Sequence, residues 1–145
     1  MTVQNVARYV VEHVKKPITS MKLEKLVYYC QAWSLAWDGQ QLFDEDFQAW
    51  AHGPVCPELF YEHKGMFALN EDFLNEYSTN CFTKDQIETM DSVISFYGDR
   101  SPNYLSELTH KERPWKETRG NLPLGEPSNK VIPKELMQEY YSGLQ

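Results

Sequence analysis

The run from Met21 to Trp37 constrains this chain more than any other stretch. At helical spacing, Leu23, Leu26, Val27, Cys30, Ser34 and Trp37 form one stripe, while Tyr28, Gln31 and Leu35 form a second face that is also largely apolar. A helix that is apolar on most sides belongs in the middle of a structure, with other elements laid around it. Thr19 or Ser20 is placed to cap it, and Asp38-Gly39 is a turn signal that ends it.

The flanking sequence supplies elements to surround such a helix. Val3, Val6, Ala7, Val10 and Val14 recur at three- and four-residue steps, which predicts an amphipathic helix from Met1 to about Lys15, ended by Pro17. Thr83-Lys84-Asp85-Gln86 matches a capping box and predicts a helix over Lys84 to Tyr97, stopped by Gly98. Pro57, Ser101-Pro102, Pro114 and Pro133 each open a further short helix or helical turn. After Asp38-Gly39 the period changes to two: Phe47, Ala49 and Ala51 alternate with Gln48, Trp50 and His52, a short strand with Leu42-Phe43 as a candidate partner and Gly53-Pro54 as its stop. Lys64 to Asn80 reads mostly as loop, Gly120 to Ser128 as a Gly/Pro-rich connection, and Val131-Ile132 as an edge strand. The fold class expected is α+β, predominantly helical, with about five or six helices around the central one and a small antiparallel sheet.

Length and charge then narrow the function. A chain of 145 residues fits a single domain spanning 1–145, and 41% hydrophobic residues argue against intrinsic disorder. A net charge of −7 gains nothing from counterion release, so nucleic acid is not expected as a direct ligand. No apolar stretch approaches the ~18 residues that span a bilayer, and Met1 to Val14 has no compact signal core. A cytoplasmic location and no membrane partner are expected.

Cys30, Cys56 and Cys81 are odd in number and irregular in spacing, which suggests reduced, mostly buried thiols rather than a disulfide framework. An uncharacterised hydrolase would use Cys56 as nucleophile with His52 or His110 as base; a metal site would use His52, Cys56 and His63. Neither spacing matches a known signature, so no catalytic, cofactor or metal residue is assigned. The acidic run Asp44, Glu45 and Asp46 reads as a solvated turn, and Lys111, Arg113, Lys116 and Arg119 as a solvated helical face. Lys22 and Lys25 are expected to pair with local acids.

The segment with most character is Ala49 to Pro57, where a strand end, Gly53-Pro54 and Pro57 fix a rigid elbow. Trp50 lies on the face opposite Phe47 and Ala49, so it is either core or a binding anchor, as is Trp115 after Pro114. The binding alternative puts Tyr28, Gln31, Trp50 and Trp115 in a shared groove beside His52, Gly53, Pro54 and Val55, which together are the candidate partner-binding residues.

Ile18 to Trp33, followed by Leu42-Phe43, Ala49-Trp50 and Gly53-Pro54-Val55-Cys56-Pro57, and later by Tyr97-Gly98, Leu105 to His110 and Pro114-Trp115, resembles the Panacea domain of SocA-like antitoxins and phage-associated GepA-like proteins. The resemblance implies a bacterial, phage or plasmid antitoxin that neutralises a protein toxin encoded by a neighbouring gene through direct binding, without catalysis. It also implies, as an alternative, an adaptor that delivers the toxin to a bacterial AAA+ protease. An added DNA-binding domain, which some members carry, is not expected within these 145 residues. Glu24 stands where the family pattern has Gln, and Cys30 where Ala is usual.

Overall fold

The computed structural model describes residues 1–144. Seven helices and four short strands occur among them, in the order α1 (Val3–His13), β1 (Ile18–Thr19), α2 (Ser20–Trp37), β2 (Gln48–Trp50), β3 (Gly53–Val55), α3 (Pro57–His63), β4 (Ala68–Leu69), α4 (Lys84–Tyr97), α5 (Pro102–Lys111), α6 (Arg113–Arg119) and α7 (Lys134–Ser142). The protein is thus α+β and predominantly helical.

The helix α2 is the axis. Twelve of its residues are buried, from Leu23 to Leu35, so it can have no solvent face over most of its length. The helices α7, α4 and α1 pack along it, and its start is capped by Thr19 Oγ1, which accepts from Lys22 N–H at 3.1 Å. At α4 the capping box forms as expected: Gln86 N–H donates to Thr83 Oγ1, and Gln86 Oε1 accepts from Thr83 N–H. Ser101 caps α5 in the same manner through Tyr104 N–H.

The β structure differs from the expectation in three places. There are two separate two-stranded sheets rather than one, β1 with β4 and β2 with β3, both antiparallel. The partner of β2 is not Leu42-Phe43 but the Gly53-Pro54-Val55 segment expected to stop it, paired as Gln48 with Val55, Ala49 with Pro54 and Trp50 with Gly53 across an Ala51-His52 turn. A proline is tolerated in so short a strand because it gives up only one donor, and Gly53, at φ +117°, takes a backbone conformation that an L side chain rarely adopts. Leu42-Phe43 is instead a buried loop held by Gln31, whose amide donates to Phe43 O at 2.9 Å and whose oxygen accepts from Leu42 N–H at 2.7 Å. On the outer side of β2, the 130–132 segment adds two ladder bonds, Ala49 N–H to Lys130 O and Ile132 N–H to Phe47 O.

Candidate functional site

The β2–β3 hairpin is small, and a two-stranded ribbon has little stability of its own. Here it is fastened from both sides by side chains of other elements. Three donors from α5 and α6 reach its backbone carbonyls: Ser106 Oγ–H to His52 O at 2.6 Å, Trp115 Nε1–H to Trp50 O at 2.8 Å, and Arg119 Nη1–H to Ala49 O at 2.9 Å. From α2, Lys25 Nζ donates to Pro54 O at 3.2 Å, and Glu24 Oε1 accepts from Cys56 N–H at 2.9 Å, just past the end of β3. Backbone polar groups of a short hairpin need partners beyond its own ladder, and these fastenings supply them from α2 on one side and from α5 and α6 on the other.

Between this hairpin, the first turns of α2 and the helix α3 lies a groove of about 780 Å³. Met21, Trp50, Val55 and Phe60 give it a largely apolar lining, and Pro127 to Asn129 close one wall. Trp50 is half-buried; its ring meets Phe60 at 4.9 Å between centroids in an edge-to-face arrangement, and its Nε1–H donates to Gln48 Oε1 at 2.8 Å. Charged groups form the floor. Glu24 Oε2 and His63 Nε2 are 2.7 Å apart, both residues buried, and Lys25 beside them is 1% exposed. Burial pushes the Lys25 ammonium down to about 8, an effect that the nearby Glu24 carboxylate only partly offsets.

Gly53 is required for this floor in a second way. A Cβ there would lie 2.5 Å from Lys25 Cε and 3.0 Å from Thr109 Oγ1. The missing side chain is what lets the lysine pass under the hairpin.

The eight residues singled out in the sequence divide between the groove and the core. Trp50, His52 and Val55 line the groove, with His52 exposed at the turn, and Gly53 and Pro54 are buried in the strand behind it. Tyr28, Gln31 and Trp115 do not reach it; they are 1%, 1% and 2% exposed. Tyr28 packs edge-on against Phe47 and Tyr29, Gln31 holds the 42–43 loop, and Trp115 stacks on His110 at 4.0 Å while donating to the hairpin from beneath. Their aromatic and amide groups satisfy internal partners, which is the physical reason they are not free to form a surface.

Sequence reasoning missed two residues. Lys25 was expected to pair with local acids, yet it bonds a carbonyl under the hairpin. Arg119 was expected on a solvated face but is 3% exposed, since its guanidinium also donates to Pro123 O at 3.1 Å and Glu126 O at 2.6 Å and so ties down the connection that forms the far wall. The short spacing from Arg119 to the Gly/Pro-rich connection was the one available signal, because backbone carbonyls freed from regular structure need a multidentate donor.

Two of the three thiols are poorly suited to nucleophilic work, and the third, Cys81, is exposed. Cys30 and Cys56 are buried, and burial pushes both thiols well above their ordinary range. Cys56 Sγ–H points to Glu58 Oε1 at 3.5 Å, so its hydrogen-bond partner is an acid rather than His52 or His110. His110 is kept on its neutral side first by burial and then by the positive charges of Lys25, His52 and Arg119. No cluster of three or more His, Cys, Asp or Glu residues able to hold a metal occurs among the described residues, and none of the helices is long and apolar enough to cross a membrane.

The family model described as Antitoxin SocA-like, Panacea domain matches residues 23–116, about two thirds of the chain. That span runs from the α2 floor through the hairpin and α3 to Trp115, and leaves out α1, the 127–129 wall and α7. No curated protein and no solved structure matches the chain.

Proposed function

The chain belongs to the family of SocA-like antitoxins built on the Panacea domain, and from that premise we propose that it neutralises a protein toxin encoded beside its own gene by direct contact at the hairpin groove. The observation that carries this reading is the presentation of Trp50. A half-buried tryptophan stands at the rim of an apolar groove, on a hairpin whose backbone is fastened by Ser106, Trp115, Arg119 and Lys25. A contact surface held this firmly has little conformational freedom left to lose on binding, and tryptophan is a frequent hot-spot residue. The buried Cys56 thiol, which faces Glu58, and a His110 stacked on Trp115 give the hydrolase alternative no matching support.

The test is co-expression. The product of the adjacent gene should arrest growth of a bacterial host when produced alone, grow normally with this chain present, and co-purify with it. An adjacent product that is harmless, or that is neutralised without forming a complex, would refute the direct-contact reading.

A further inference from the structure

The floor of the groove holds a cation whose hydrogen bonding is incomplete. The Lys25 ammonium has three donors, and among the described residues the Pro54 carbonyl is the hydrogen-bond acceptor it has. The adjacent Glu24 carboxylate is directed elsewhere, with one oxygen on Cys56 N–H and the other against His63. The basic side chains close by, His52, His63, His110 and Arg119, bring no negative charge to it. A buried ammonium with one hydrogen-bond acceptor, below a groove whose walls are largely apolar, is complementary to an anion, and a charge-assisted bond formed there would be stronger than one in open water. The anion must also have an apolar neighbour, because Met21, Trp50, Val55 and Phe60 make up most of the remaining surface.

Resting on the reading that the groove takes the partner toxin, we infer that the toxin segment entering it is a loop tip or chain end with a carboxylate, which meets Lys25 Nζ, next to an apolar side chain that packs on Trp50 and Phe60. The cavity, at about 780 Å³, is of the size that takes small groups rather than a whole element. The net charge of −7 favours a partner that is basic as a whole. A single acidic residue on such a partner would therefore be recognised by position, with the floor rather than the overall field selecting it.

The experiment uses two capped peptides, acetyl-Leu-Phe-Asp-amide and acetyl-Leu-Phe-Asn-amide, titrated into the full chain while the Trp50 indole N–H and the Val55 amide are followed by NMR. The aspartate peptide should bind at least tenfold more tightly, and the preference should vanish in Lys25→Met, a substitution of similar length and volume. Raising the pH from 7 to 9.5 should also erode the preference in the wild-type chain. Equal binding of the two peptides overturns the inference even if Lys25→Met fails to fold, and so does phenylacetate matching the aspartate peptide, because the ligand would then be a small organic acid. Toxin capture that survives Lys25→Met but is lost in Trp50→Ala would sink the carboxylate inference and leave the antitoxin reading standing, whereas a wild-type chain that captures nothing would sink the antitoxin reading itself.

Discussion

At its middle α2 presents Tyr28 and Tyr29 to a buried carboxylate, while one turn nearer its N-terminal end it presents Lys25 to the groove floor. The first arrangement is paired within the chain. Glu112 Oε1 accepts from Tyr29 Oη–H at 2.7 Å and Tyr141 Oη–H at 2.8 Å, with the hydroxyls of Tyr141 and Tyr28 a further 3.2 Å apart. Burial raises the Glu112 carboxyl and the two tyrosine donors pull it back. Stacking of Tyr29 on Tyr97 at 4.1 Å, the edge contacts of Tyr28 and Tyr29 with Tyr141 and the tilted contact of Trp33 with Tyr141 pack around the cluster. The second arrangement has one acceptor for a cation with three donors, and a cavity above it. One helix therefore carries a polar cluster paired within the chain and a cation with one acceptor below a cavity, and under the proposed function the first holds the fold while the second meets the partner.

That division can be broken most forcefully at Tyr141. Tyr141→Ala removes a fully buried ring, takes one of two tyrosine donors from Glu112 and leaves the Tyr28 hydroxyl without its partner, so unfolding should become easier by ~3 to 5 kcal/mol, read by denaturant titration. If the sealed cluster is structural, whatever fraction of the variant remains folded at low temperature should bind the toxin with unchanged affinity.

Gly53→Val attacks the boundary between the two regions. Its Cβ would collide with the Lys25 stem and Thr109, and valine is disfavoured at φ +117°. We expect a loss of about 3 kcal/mol in stability, combining backbone strain with overpacking, together with loss of toxin binding. A variant that unfolds normally and still binds would mean that the floor is not fixed by this close approach.

A smaller effect sharpens the comparison at Lys25 itself. Its ammonium is pushed from 10.5 to about 8 in the folded chain. Below about pH 8 both folded and unfolded states hold the proton, and the full cost of burying the charge is present. Between about 8 and 10.5 the folded state has released the proton while the unfolded state keeps it, so stability rises with pH across that window. The shift corresponds to ~3 kcal/mol at most. Lys25→Met has no such proton, and groups common to both proteins cancel in the difference. Measured by urea unfolding from pH 7 to 10, the wild type should therefore gain ~2 to 3 kcal/mol relative to Lys25→Met. A difference that stays constant with pH would show that the lysine is not held in an unfavourable enclosure.

Much of the helical frame was legible because its signals are local. Thr83 and Gln86 announce α4, Ser101-Pro102 announces α5, and the two apolar faces of Met21 to Trp37 announce the central helix. The strand β3 was hidden because Gly53-Pro54 has the composition of a stop; its pairing depends on the φ of Gly53 and on donors from α5 and α6, which are distant in sequence. Pairing of β1 with β4 was hidden for a related reason, since two residues on each side give no period to read. At the site, the alternation that set Trp50 apart from Phe47 and Ala49 was informative, whereas Lys25 and Arg119 were not recognisable as buried. Long cationic side chains are ordinarily exposed, and only the tertiary placement of Pro54, Ala49, Pro123 and Glu126 carbonyls gives these two a reason to be inside. Tyr28, Gln31 and Trp115 posed the opposite problem, because an aromatic or amide group that anchors a core and one that anchors a partner look alike in sequence.

The central claim, that the hairpin groove is the toxin-binding surface, is tested most directly by measuring toxin affinity and thermal unfolding on the same sample of Trp50→Ala. Since Trp50 is only half-buried and its backbone remains fastened through Trp115, the account predicts that binding weakens by ~2 kcal/mol or more while the unfolding midpoint moves by only a few degrees. A stable Trp50→Ala protein that binds its toxin with wild-type affinity would contradict it.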